Sequence, residues 1–186
     1  MGVAISYWMT TDDPRTVITA LKIVREEAEK AGYSYRCFDK QSLDEKLPRF
    51  KVAIIVDGCA TAGRFALVFR KCGRYYTCSH STKTQPFLFD EVEPNLRWHK
   101  WVCTLLKKLE RLKWRSFYVH DGAGYYDTWD ESKIIKEFQL HAQFFYKFMT
   151  TYDEMAEKQG LYTLFILGGR RVLDVRRLRK RGVKRS

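Results

Sequence analysis

Several features that mark common protein classes are missing from this chain of 186 residues. No apolar run approaches the ~18 residues that a membrane-spanning helix requires. The first residues hold no basic region followed by an apolar one, so no secretory signal peptide is expected. Internal repeats and low-complexity segments are missing as well. A chain of this length has room for one substantial core, and we expect a single-domain cytoplasmic protein.

The five cysteines form no CxxC pair, and their number is odd. A disulfide framework and a zinc finger are therefore both disfavoured. Each cysteine lies in an apolar stretch, so we expect small buried apolar side chains. This usage fits an intracellular, reducing compartment. No cofactor is predicted from the sequence, although a divalent metal stays open.

Recognisable catalytic motifs are also lacking. The chain has no GxSxG, no HExxH, no Walker motif and no set of kinase motifs. The segment "GAG" at 122–124 has no third glycine at GxGxxG spacing and no following P-loop lysine. The sequence therefore indicates no particular reaction.

Positive charge is abundant and unevenly placed. The net charge is +12, and nine of the last 23 residues are Arg or Lys against one acid. The residues predicted to contact a polyanion are Arg170, Arg171, Arg176, Arg177, Arg179, Lys180 and Arg181. Arginines along a phosphate backbone release counterions, which favours nucleic acid as the partner. The alternatives are a solubilising tail, an anionic membrane surface, or salt bridges to a partner subunit.

No motif for reading base sequence accompanies this charge. The apolar residues 161–167 precede the basic ones and are predicted to pack on the sheet or to form a homo-oligomer contact. The pair Gly168-Gly169 either turns a hairpin or breaks a helix.

The order of apolar patterns predicts an α+β fold. We expect a mixed or antiparallel sheet of about five or six strands, with three main helices packed mainly on one face. Residues 1–160 form the predicted single domain, and residues 161–186 an apolar-then-basic extension. The first strand, helix and strand suggest a crossover unit. Residues 80–94 are predicted to form a long loop.

Helix boundaries carry clear signals. Asp12 or Asp13, Pro14 and Gly32 delimit the first helix, and residues 95–114 form the second. The third is predicted from about 128 to 159, with Thr128 and Glu131 as a capping box. We expect His141 to lie in the core stripe of the third helix, and His99 to lie partly exposed at the edge of the second.

The stretch "HDGAGYYDTWDES" at 120–132 concentrates polar and aromatic residues. Capping explains Thr128, Asp130 and Glu131. It leaves five residues without a role: His120, Asp121, Tyr125, Tyr126 and Asp127. Asp121 ends a predicted strand, where a side chain either faces a cleft or forms an Asx turn.

At these residues the chain resembles a family of uncharacterised conserved prokaryotic proteins, found in archaea and bacteria. The likeness rests on "MGVAISYW…DDP", on "KTQ", on a histidine early in an amphipathic helix, and on "V-x-D-x-x-G-Y-Y-D-T-x-D". It covers roughly residues 1–156 and is poorest around 51–80. The matching polar positions are Lys83, Thr84, Gln85, His99, Asp121, Tyr125, Asp127 and Asp130.

The resemblance transfers no activity, and two departures weaken any acid–base or metal site. Gly122 stands where the family pattern has an acid, and "DGCATAG" stands where it has a polar region with His and Glu. Lys83, Thr84 and Gln85 either contact an anion or belong to a solvated loop.

Two functional hypotheses follow. The first is a binding module whose basic tail contacts nucleic acid, another polyanion or a partner. The second is an enzyme with the candidate residues Lys83, His99, Asp121, Tyr125 and Asp127. Carboxylates and imidazole also suit a divalent metal held by His99, Asp121 and Asp127.

Overall fold

The computed structural model describes residues 2–39, 50–59, 62–86, 89–158, 164–167 and 170–174. The elements in chain order are β1 Val3–Thr11, α1 Pro14–Ala31, β2 Tyr35–Asp39, β3 Phe50–Val56, β4 Phe65–Cys72, β5 Tyr75–Thr84, a 3-10 helix Phe89–Glu91, α2 Val92–Glu110, β6 Ser116–Asp121, α3 Tyr125–Thr128, α4 Glu131–Lys158, β7 Leu164–Leu167 and β8 Arg170–Asp174. The predicted α+β class is confirmed.

Six strands form one antiparallel sheet in the order β2-β3-β4-β5-β1-β6. The hairpin-connected strands β3, β4 and β5 lie between β2 and β1, so the strands that flank α1 are not neighbours. The predicted crossover therefore joins strands that are not adjacent. Strand β1 lies between β5 and the edge strand β6, so the ends of β5 and β6 flank the start of β1.

The three long helices contribute to one core on a single face of the sheet, as predicted. Alternation in β1 directs Val3, Ile5, Tyr7 and Met9 into this core. The buried helical residues in the same cluster include Val17, Ala20 and Val24 of α1, Trp98, Val102 and Leu106 of α2, and Ile134 and Phe138 of α4. The opposite face of the sheet receives the other half of the strand residues.

Helix α1 begins and ends at the residues that the sequence predicted. Asp13 accepts a hydrogen bond from Arg15 N at 2.9 Å, and Pro14 occupies the first helical position. Gly32 ends the helix at φ 71°, a left-handed conformation that glycine adopts without a Cβ penalty.

The predicted loop over 80–94 is wrong at both ends. Strand β5 continues to Thr84, because its polar residues Thr82 and Thr84 pair with β1 and are buried. The 3-10 helix and α2 begin by Val92, three residues earlier than predicted. The polar composition of residues 80–84 is typical of a loop, but two of its threonine hydroxyls are buried in the sheet.

The predicted start of the third helix is also wrong. Thr128 ends the short helix α3, where its Oγ1 donates to Gly124 O at 2.7 Å. Asp130 caps α4 instead, since its Oδ1 accepts from Ser132 N at 3.0 Å and from Ser132 Oγ at 2.6 Å. These hydrogen bonds also lower the pKa of the Asp130 carboxyl.

We expect the substitution Asp130→Ala to lower the thermal unfolding midpoint by about 2–4 °C, the shift typical of a lost helix cap in a chain of this size. The Asp130→Asn variant keeps an oxygen acceptor and serves as the matched control. Calorimetry on both variants checks the assignment, and equal losses in the two would contradict it.

Two expectations about single residues need correction. His141 is half-buried and not in the core. It lies beside the buried row of α4, which is formed by Ile134, Phe138, Ala142 and Met149. Only Cys78 and Cys103 are buried, whereas Cys37 and Cys72 are exposed on strands whose ends reach solvent. All five cysteines are free thiols.

Beyond α4, strands β7 and β8 pair antiparallel. The two alternatives for Gly168-Gly169, a hairpin turn or a break in a helix, fall on residues outside the described ranges. The predicted contacts of Arg176, Arg177, Arg179, Lys180 and Arg181 also lie outside them. Among the helices that the structure describes, none combines the length and apolar character needed to cross a bilayer.

Candidate functional site

Two of the predicted site residues meet in the core. His99 lies on α2 and Asp121 at the end of β6, and His99 Nε2 is 3.1 Å from Asp121 Oδ2. Both side chains are fully buried. Since a carboxylate only accepts hydrogen bonds, Nε2 carries a proton. His99 is thus a buried residue, not the partly exposed one that its place at the edge of the helix stripe predicted.

Asp121 is surrounded by donors. Its Oδ1 accepts from Ala123 N and its Oδ2 from Tyr126 N, each at 3.0 Å. The Cys103 thiol lies 3.9 Å from Oδ2. Burial raises the pKa of Asp121, but hydrogen bonds from His99, Ala123 and Tyr126 outweigh it and leave the pKa below its usual value. Asp121 is therefore an ionised carboxylate that both closes an Asx-type turn and orients His99.

The other ring nitrogen of His99 faces β5. Its Nδ1 lies 3.0 Å from Thr84 Oγ1, which also bonds the Val3 carbonyl at 3.2 Å. The hydroxyl has one proton to give. The hydroxyl donates to the Val3 carbonyl, and its oxygen remains within hydrogen-bond distance of Nδ1. This network links α2 to β1, β5 and β6.

Cys103 joins His99 and Asp121 as a third possible metal ligand. Ligand atoms of His99, Cys103 and Asp121 lie within 4.8 Å of one another, and imidazole, thiolate and carboxylate are zinc ligands. Without a metal ion, burial raises the pKa of the Cys103 thiol, with Asp121 adding to the effect, so zinc binding would have to displace the thiol proton. His99 Nε2 is already bonded to Asp121. The three groups form a satisfied hydrogen-bond network.

The other three candidates, Tyr125, Asp127 and Lys83, lie in three different places. Tyr125 is buried, and its ring contacts His99 with centroids 6.2 Å apart. Asp127 is exposed on α3 and does not join His99 and Asp121. Lys83 lies on the opposite side of the sheet, because it alternates with the buried Thr82 and Thr84. His99, Asp121 and Tyr125 therefore come together in the core and not on an open surface, and Lys83 and Asp127 do not join them.

The face of the sheet opposite the helices presents aromatic rings. We call it the open face, and its side chains come from Ala4, Ser6 and Trp8 of β1, from Tyr75, Thr77, Ser79, Ser81 and Lys83 of β5, and from Ser116, Tyr118 and His120 of β6. Trp8 and Tyr118 are directly opposite in the β1–β6 register and are 44% and 59% exposed. Directly opposite side chains are ~5 Å apart at Cβ, so the two rings are neighbours.

Cations lie at both ends of the open face. The guanidinium carbons of Arg74 and Arg115 lie 4.9 Å and 5.1 Å from the centre of the Tyr75 ring. Lys83 is exposed at the other end of β5. The side chains that β1, β5 and β6 direct to the open face include no acid, over strands that are described in full. The open face is therefore aromatic and positively charged.

Sequence reasoning missed Trp8 as a functional candidate, although its signal was present. In β1 the apolar residues Val3, Ile5, Tyr7 and Met9 occupy one parity, which leaves Trp8 on the other. A single exposed ring carries little information, and it becomes informative as part of a larger exposed apolar patch. The position of Tyr118 beside it required the pairing of β1 with β6.

The chain matches no protein-family model, and no curated protein matches it either. The resemblance to a prokaryotic family therefore stays a prediction, and function must be argued from the geometry.

Proposed function

We propose that this protein is a binding module for single-stranded nucleic acid, which it holds on the open face of the sheet. The carrying observation is the pair Trp8 and Tyr118, adjacent and exposed on a face with cations and no acids. Exposed aromatic rings on an antiparallel sheet stack unpaired bases in several known modules, and here this is an argument by analogy.

Each part of the open face has a role in this proposal. The rings of Trp8 and Tyr118 stack on two successive bases. Arg115 and Lys83, towards opposite ends of the face, contact phosphates. The hydroxyls of Ser6, Ser79 and Ser81 offer small hydrogen-bonding groups that leave room for bases. Stacking accepts any base, so we expect weak sequence preference.

The basic C-terminal residues fit the same function. Arg and Lys there attract the phosphate backbone through counterion release, while the open face distinguishes unpaired from paired bases. A duplex hides its base faces, so the rings have nothing to stack on. We therefore expect single strands to bind more tightly than duplexes of equal length.

Catalysis receives less support from the geometry. Thr84, His99 and Asp121 are arranged as a hydroxyl, an imidazole and a carboxylate in series, as in a nucleophile triad. All three are buried, and the Thr84 hydroxyl is committed to the Val3 carbonyl. A substrate would have to enter the core to reach them.

The test is a titration of labelled single-stranded DNA and RNA with Trp8→Ala and Tyr118→Ala variants. Each substitution is expected to cost about 1–3 kcal/mol of binding, or roughly 5- to 150-fold in Kd, because one stacking surface is lost. The slope of log affinity against log salt should stay unchanged, because no charge is removed.

Two controls sharpen the result. Tyr118→Phe keeps the ring and should bind as the unmodified chain does. Tyr146→Ala removes a ring of similar exposure from α4, away from the sheet, and should have no effect. Equal affinity in Trp8→Ala, Tyr118→Ala and the unmodified chain would overturn the proposal. Comparison of the affinities for DNA and RNA shows which nucleic acid the protein prefers.

A further inference from the structure

The second half of α4 exposes a row of large apolar side chains. Leu140, Phe144, Phe148, Tyr152 and Met155 are each between 45% and 57% exposed. Their spacing of four, four, four and three residues places them on one side of the helix. We call this row the apolar stripe, and it lies beside the buried line of α4 that faces the core.

The charge pattern of α4 suits a covered surface. From Phe138 to Tyr152 the helix holds one charged residue, Lys147. The helix as a whole carries four lysines and five acids, although the chain has a net charge of +12. A helix that is apolar around most of its circumference is usually buried on more than one side.

The area of the apolar stripe matches a modest interface. The exposed fractions of its five residues add up to the accessible area of two to three fully exposed residues. At roughly 200 Å² for each large residue, the exposed area of the stripe is ~500 Å². Such a patch is comparable to the largest apolar patch of a typical monomer, and patches of this size often serve a function. Two copies face to face would bury ~1,000 Å², which is the lower limit for a specific protein–protein contact.

Charges at the two ends of the stripe select one orientation. Glu137 lies three residues before Leu140, and Lys158 lies three residues after Met155, both exposed. In an antiparallel pair centred on the stripe, Glu137 of each copy is opposite Lys158 of the other. A parallel pair would instead place Glu137 near Glu137 and Lys158 near Lys158, which is unfavourable.

We propose that the protein forms a symmetric dimer through the apolar stripe, with the two α4 helices antiparallel. A twofold axis near the middle of the stripe makes the contact self-complementary, as in most homodimers. The helices pack on the face of the sheet opposite the open face, so Trp8 and Tyr118 stay accessible in both copies. The inference does not depend on nucleic-acid binding.

The experiment is sedimentation velocity of the full chain at micromolar concentration. We expect a species of twice the mass of one chain, and a single-chain mass for the variant Phe144→Glu with Phe148→Glu, because charges would be buried in the contact. A monomer at all concentrations would overturn the proposal. A dimer that persists in this variant would also overturn it and would point to another contact, such as residues 161–167.

Charge reversal provides a test without large changes in packing. Glu137→Lys and Lys158→Glu should each raise the dimer dissociation constant severalfold, because each creates two like-charge contacts. The double variant restores opposite charges and should recover the original constant. Tyr146→Ala, on another side of α4, is the matched control and should leave the dimer unchanged. Failure of the double variant to recover would exclude the antiparallel arrangement.

Discussion

Replacing Asp121 with alanine is expected to destabilise the folded chain by about 3–5 kcal/mol, because each buried donor left without its acceptor costs roughly 1–3 kcal/mol. The substitution leaves His99 Nε2 and the N–H groups of Ala123 and Tyr126 without their acceptor inside the core. It also removes the link between α2 and the end of β6. Urea unfolding at neutral pH measures the change.

The control for this prediction is Asp127→Ala. Asp127 is exposed on α3 and is six positions from Asp121, so its removal should change the free energy of unfolding by less than ~0.5 kcal/mol. A similar small change in Asp121→Ala would show that the network does not stabilise the fold.

The pH dependence of the same variant has a definite sign. The pKa of Asp121 is lower in the folded chain than its ordinary value of 3.8. A carboxyl of this kind stabilises the folded state above pH 3.8, and the contribution is lost as the pH falls through the folded pKa. The difference between the unmodified chain and Asp121→Ala should therefore be full at pH 7 and should shrink below pH 3.8.

Removing the basic C-terminal residues is expected to have the largest effect on nucleic-acid affinity. The chain should be cut after Asp174 and not after Gly169, because β8 pairs with β7 and a shorter chain would leave β7 without its partner. The twelve residues removed contain seven Arg or Lys and no acid. The slope of log affinity against log salt should fall in magnitude by up to ~5, at about 0.7 for each single-strand phosphate released.

This truncation and the Trp8→Ala variant separate two contributions. Loss of the tail changes the salt dependence, whereas loss of a ring changes affinity at constant salt dependence. The control is a full-length chain in which Lys22, exposed on α1, is replaced by alanine. Unchanged affinity and slope in the truncated chain would show that the tail contacts something other than nucleic acid.

Local patterns predicted much of the fold. Alternation identified β1, and Asp13, Pro14 and Gly32 marked the ends of α1. The buried face of α2 followed from its apolar spacing. One prediction failed because the polar residues Thr82 and Thr84 are buried in strand β5. Another failed because Thr128 and Asp130 are both suitable helix caps and only Asp130 caps α4.

The candidate site was less predictable. His99 and Asp121 were both singled out from the sequence, but their burial was not. His99 is buried because Asp121 and Thr84 satisfy both ring nitrogens, and these partners come from two strands. Lys83 was grouped with them, although strand alternation sends it to the other face. Residues 80–84 were predicted as loop, and a loop has no alternation of faces. The missed end of β5 therefore led to the wrong placement of Lys83.

The sequence by itself determined the local elements, the single α+β core and the concentration of positive charge near the C-terminus, because these depend on neighbouring residues and on composition. Only the tertiary structure decided that His99 meets Asp121, 22 positions away, and that Trp8 lies beside Tyr118. Both contacts depend on the place of β1 between β5 and β6. Strand order depends on how the whole set of apolar surfaces packs together, and no short stretch of sequence carries that information.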